Sequence, residues 1–140
     1  MTLCTSVTDP GGKAAAKTAF VYLLTALFLA FFGAVYELFS HGVYSYYMIY
    51  AFAFPLAGGT LPFSLLHLFP TKKYPGTVAR GLYHCGIATL TAGSIVRGVL
   101  DIYGTTNALA VCYWPVGVAQ ILAGLAMGIW QMFFKCKDPM

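Results

Sequence analysis

Four long apolar stretches occupy most of this chain, and they constrain its fold more than any other feature. Thr18–Ser40 contains one charged residue, Glu37, and Val43–Phe69 contains none. Thr77–Tyr103 holds Arg80, Arg97 and Asp101, while Ala108–Phe134 is again without charge. A transmembrane helix needs about 20 mostly apolar residues, and each stretch meets that length. Within hydrocarbon every backbone polar group must be satisfied internally, so stretches this long read as spanning helices. Of the 140 residues 59% are hydrophobic and 9% charged, against about 45–50% and about 25% in ordinary soluble domains. A soluble enzyme, a disordered chain and a coiled coil are thereby excluded. The expected fold is all-α, a polytopic integral membrane protein with four transmembrane helices. They form one domain over residues 18–134, between a polar tail at 1–17 and a short tail at 135–140.

Local signals refine this outline. Asp9, Pro10, Gly11 and Gly12 read as helix breakers, which places the start of the first helix near Thr18. That helix is too long for the core of a cleavable signal and reads as an uncleaved anchor. Pro55, Gly58, Gly59 and Pro62 interrupt the second stretch and predict a kinked or broken helix. Polar turns are expected at residues 71–76 and 104–107. Lys13, Lys17, Lys72, Lys73, Arg80, Lys135 and Lys137 all fall near the N-terminal tail, the second connection or the C-terminus. Basic residues near span ends stay cytoplasmic, so both termini are expected inside, in a bacterial cytoplasmic membrane. The net charge of +4 is then a topology signal with weak attraction to anionic lipid, and calls for no nucleic acid.

A shift of 60 places brings Lys13 onto Lys73, Gly33 onto Gly93, Phe54 onto Trp114 and Pro55 onto Pro115. This faint match is read as two repeated helical hairpins, with Pro55 and Pro115 as matching helix interruptions. Matched interruptions in two halves are a sequence pointer to a transporter site.

Charges inside the hydrocarbon region are costly and face an interior, a partner or water. Glu37 and His41 are four apart and share a face of helix one; Arg97 and Asp101 repeat that spacing on helix three. With both termini inside, all four belong to the outer half of the bundle, beside Tyr44, Tyr113 and Trp114. Three readings compete. Arg97 pairs with Glu37 or Asp101 as an interhelical lock within an aromatic belt. Alternatively, the cluster lines an outward-facing vestibule in which Arg97 holds an anion or the carboxylates hold a cation, with Glu37 or His41 carrying a proton. In the third, Glu37, His41 and Asp101 bind a metal, which the neighbouring guanidinium opposes.

His67 and His84 introduce another class of function, since two imidazoles on facing membrane helices can hold haem b. A quinone near Tyr44 and His41 belongs to the same redox reading. Cys4, Cys85, Cys112 and Cys136 form no plausible bridge. No catalytic motif is visible: there is no P-loop, no HExxH and no nucleophile with a paired base. Gly124 and Gly128 make a small-xxx-small step suited to close packing within the chain or in a homodimer. The sequence therefore leads to a small membrane protein that binds or transports a small solute through an outward-facing polar site formed by Glu37, His41, Tyr44, Arg97, Asp101, Tyr113 and Trp114. A redox subunit and a non-catalytic subunit of a larger membrane complex are the alternatives.

Overall fold

The computed structural model describes residues 10–68 and 76–134, and every regular element among them is helical. Helix α1 spans Pro10–Leu38 and is followed by a single turn, α2, at Tyr46–Ile49. A π-helical stretch, Phe54–Thr60, runs directly into α3, Leu61–Leu68. Helix α4 spans Thr77–Ile102; a 3-10 turn at Ala108–Cys112 then leads into α5, Tyr113–Phe134. Four units, Gly12–Leu38, Tyr46–Leu68, Thr77–Ile102 and Ala108–Gln131, are long and apolar enough to cross a membrane. The lysines at 72, 73, 135 and 137, with Cys4 and Cys136, lie outside the described residues.

The first helix begins earlier than the sequence suggested. Pro10 occupies its first position, where the missing N–H needs no partner, and the Ala14–Ala16 run favours helix. Gly12 also gains support, because its carbonyl lies 3.0 Å from Nδ1 of His67 at the end of α3. At its other end α1 closes through a turn in which His41 (φ 56°) and Gly42 (φ 88°) adopt left-handed backbone, a conformation easy for glycine and uncommon for other residues.

Successive units run antiparallel and pack in chain order. Helix α1 rests on α2, the π-helical stretch and α3; α4 rests on α2 and the π-helical stretch; α5 rests on α4 and its own 3-10 turn. The backbones of α1 and α4 do not approach one another, and the backbone of α5 approaches neither that of α1 nor that of the second unit, which it meets through side chains. Two short connections, at residues 39–45 and 103–107, share one end of the molecule, which we call the Ser45 end. The start of α4 and the end of α3 share the other, the Arg80 end.

Backbone proximity between α4 and α5 depends on missing side chains. A Cβ on Gly86 would lie 2.8 Å from the Ile121 nitrogen, and one on Gly124 would lie 2.7 Å from the Tyr83 nitrogen. Such approach is how membrane helices associate when lipid supplies no hydrophobic drive. The hydroxyl of Thr89 adds a 2.9 Å hydrogen bond to Oε1 of Gln120 across the same seam.

The interruption of the second unit has a definite cause. Proline lacks an N–H, so Pro62 cannot donate to the Gly58 carbonyl one turn earlier. The hydroxyl of Tyr83 on α4 donates to that carbonyl instead, at 2.7 Å. Pro55 is the second residue of the π-helical stretch, which follows the short turn α2. Pro115 is the third residue of α5, which follows the 3-10 turn. Both aromatic-proline steps therefore stand in the first turn of an element entered from a short helical turn, where a missing N–H costs least.

Candidate functional site

At the Ser45 end the short helix α2 is held against α4 by buried hydroxyls. Ser94, 1% exposed, donates to the Tyr47 carbonyl at 2.7 Å. Ser45, 2% exposed, donates to Oδ2 of Asp101 at 3.2 Å. Met48 is equally buried, and a Cβ on Gly98 would lie 2.9 Å from its backbone nitrogen. One on Gly33 of α1 would lie 3.1 Å from the Met48 carbonyl. The turn α2 is thus wedged between α1 and α4, with a glycine on each side making room.

Arg97 and Asp101 lie on the exposed margin of this wedge. Nε of Arg97 is 3.4 Å from Oδ1 of Asp101, and their side chains are 31% and 33% exposed. The spacing is that of an ion pair without an aligned hydrogen bond, and Arg97 Nε has no hydrogen-bond partner. The guanidinium carbon stands 5.6 Å from the centre of the Tyr47 ring, within cation–π range. Trp114 meets the same ring edge-on at 6.3 Å and the Phe54 ring at 5.7 Å. Asp101 therefore has one oxygen committed to Ser45 and the other turned to Arg97, while Tyr47, Trp114 and Phe54 form an aromatic wall.

The other expected members take different positions. Glu37 lies one turn beyond Gly33 on α1 and so shares the face turned towards α2; its Oε1 is buried and has no hydrogen-bond partner. Among the described residues the ion pair of Arg97 is with Asp101, and none joins it to Glu37. His41 is exposed in the turn after α1, and Tyr44 is exposed as well. Neither has a hydrogen bond to Glu37, Arg97 or Asp101. The Tyr113 side chain packs against Gly93, which fastens the start of α5 to α4. No three of the His, Cys, Asp and Glu side chains among the described residues gather as metal ligands would, so Glu37, His41 and Asp101 stay apart.

Each remaining histidine has its own partner on α1. His67 Nδ1 faces the Gly12 carbonyl, and His84 Nδ1 lies 2.6 Å from the Tyr22 hydroxyl. The His84 ring also stacks on Phe63, centroids 5.3 Å apart, within a cluster that includes Tyr22 and Tyr83. Tyr22 reaches His84 through a gap in the second unit at Gly59, where any Cβ would meet the Tyr22 ring. The backbones of α3 and α4 do not pack together, and the contacts at His67 and His84 are separate ones.

Ser45, Tyr47, Ser94 and Phe54 were absent from the expected set. Ser94 was legible, since Ser94, Arg97 and Asp101 fall at a heptad-like spacing along one face of α4. Ser45 and Phe54 carried no such signal, because their roles depend on how α2 enters the fold. The chain matches no protein-family model, no curated protein and no solved structure.

Proposed function

We propose that this chain is a small integral membrane protein that binds or passes a small polar solute at the Ser45 end. Both termini lie in the cytoplasm on this reading, so the site faces outward. The observation that carries it is the Arg97–Asp101 pair. The two side chains are one-third exposed at the mouth of an aromatic wall, and Arg97 Nε has no hydrogen-bond partner. Nε itself is buried beside Asp101, but the exposed part of the guanidinium carries further N–H donors, and a solute with an anionic or acceptor group would meet those. The uncommitted Oε1 of Glu37, on the far side of α2, supplies a second group able to take a cation or a proton. Lys13 and Lys17 lie on the first turns of α1, at the opposite end, which supports the orientation.

Trp114 reports on the site directly. The chain has two tryptophans, so Trp130→Phe leaves Trp114 as the single emitter. Detergent-purified protein is titrated with acetate, glycine and tetramethylammonium, and one of these classes gives a saturable fluorescence change that Arg97→Met with Glu37→Leu abolishes. Flat titrations with all three, or a response that survives the double change in a folded protein, overturn the proposal. Co-purification with stoichiometric partners and no solute response would instead mark a structural subunit of a larger complex.

A further inference from the structure

A second feature runs from the middle of the molecule towards the Arg80 end and meets the site just described only at Phe54 and Trp114. Because the backbone of α5 approaches that of α4 but not that of the second unit, a seam stays open above α4. It contains two cavities, of about 190 Å³ and about 250 Å³. The first is lined by Phe63, Leu66, Ala79, Tyr83, Leu125 and Ile129, with Arg80 at its edge. The second lies further along α4, at Ile87 and Leu90 between Ala57 and Ile121, with the Tyr83 side chain, bonded to Gly58, standing between the two. From Leu90 to Arg80 the groove floor extends about 15 Å, at the helical rise of about 1.5 Å per residue.

Its two ends differ chemically. Towards the Ser45 end the seam is closed by Trp114 lying against Phe54. At the other end stands Arg80, in the first turn of α4 and, among the described residues, the only charged one lining either cavity. The one neutral polar side chain on the lining among the described residues, that of Tyr83, has its hydroxyl already committed to the Gly58 carbonyl. Arg80 has an interaction of its own, but a guanidinium carries five N–H donors and can serve a phosphate as well.

We propose that this groove holds one acyl chain of an anionic phospholipid, with the headgroup phosphate on Arg80. A slot that is apolar along its length, blocked at one end and cationic at the other matches an amphiphile with a single anionic head. A second copy of the chain fits less well, since a packed helix is about 10–12 Å across with its side chains, too wide for cavities of about 190 and 250 Å³.

Native mass spectrometry of the full chain tests the assignment, with phosphatidylglycerol and phosphatidylcholine of identical chains added in equal amounts. Both lipids carry the phosphate, but in phosphatidylcholine the quaternary ammonium offsets its charge, so the wild type retains one phosphatidylglycerol in preference to phosphatidylcholine by about tenfold, the scale of one net charge near a guanidinium. Arg80→Gln removes the preference, Arg80→Lys keeps part of it, and Arg97→Gln leaves it unchanged. Leu125→Trp fills the groove and lowers retention of both lipids. Leu66→Trp does the same from the opposite wall and replaces Leu125→Trp if circular dichroism shows the latter misfolded. Equal retention of the two lipids by the wild type, or a preference that persists in Arg80→Gln, overturns the headgroup assignment. Unchanged retention in both groove-filling variants overturns the groove. A dimer lost in Leu125→Trp but kept in Arg80→Gln overturns the proposal in favour of a second copy.

Discussion

Replacing Tyr83 by Phe isolates one hydrogen bond and asks whether it repairs a proline. The ring contacts with Phe63 and His84 are retained, and only the hydroxyl that donates to the Gly58 carbonyl at 2.7 Å is lost. Interhelical hydrogen bonds in membrane proteins contribute about 0.6 kcal/mol on average and up to about 1.7. Gly58 belongs at the upper end, because Pro62 removes the amide that would otherwise serve its carbonyl and no water replaces it in hydrocarbon. The expected cost is about 1.5 kcal/mol, close to a tenfold change in the folding equilibrium. Pro62→Ala restores an N–H one turn after Gly58, so in that background Tyr83→Phe should cost less than about 0.5 kcal/mol. The difference, a coupling of about 1 kcal/mol, is read from a double-mutant cycle. Reversible unfolding in mixed micelles, followed by far-ultraviolet circular dichroism, gives the four stabilities. Equal costs of Tyr83→Phe in the two backgrounds would refute the view that this hydroxyl substitutes for the missing amide.

Three further outcomes are expected. Gly59→Ala drives a methyl group into the Tyr22 ring and should destabilise the protein by about 2 kcal/mol, the range of overpacked sites; Tyr22→Ala in the same chain should relieve much of that cost, and simple additivity of the two changes would count against the gap at Gly59. A cysteine at Gly104, exposed in the connection after α4, should react with an impermeant maleimide from outside intact cells in a background where Cys4, Cys85, Cys112 and Cys136 are all serine; reaction only after lysis would reverse the proposed orientation. The purified protein should show no Soret band, because His84 is stacked on Phe63 and bound to Tyr22 while His67 faces Gly12; a band bleached by His84→Ala would restore the haem reading.

The spans were readable because hydrophobic length is a local property: the ends of α4 and α5 follow directly from where apolar residues stop. The Arg97–Asp101 pair was equally readable, since residues four apart on a helix are neighbours whatever surrounds it. What stayed hidden is non-local. Residues 43–60 have no polar period, so nothing in them announces a one-turn helix wedged between Gly33 and Gly98, or the hydroxyls of Ser45 and Ser94 that hold it. The early start of α1 was missed because Pro10 was read as a breaker, when its effect depends on falling at the first helical position. Glu37 and His41 share a helical period on paper, but α1 ends before His41 and the left-handed turn carries that residue away.

The serial packing of the four units has a consequence for how the molecule is made. Each unit finds its main partner in the one synthesised just before it, so most native contacts become available in the order in which the chain leaves the ribosome. Pairing of close neighbours keeps loop-closure entropy small and favours rapid assembly. Two links reach back further: Trp114 of the fourth unit lies against Tyr47 and Phe54 of the second, and Tyr22 of the first unit joins His84 of the third through the gap at Gly59. The link at Gly59 can form only after α4 has arrived, and it then ties the oldest part of the chain to the newest hairpin.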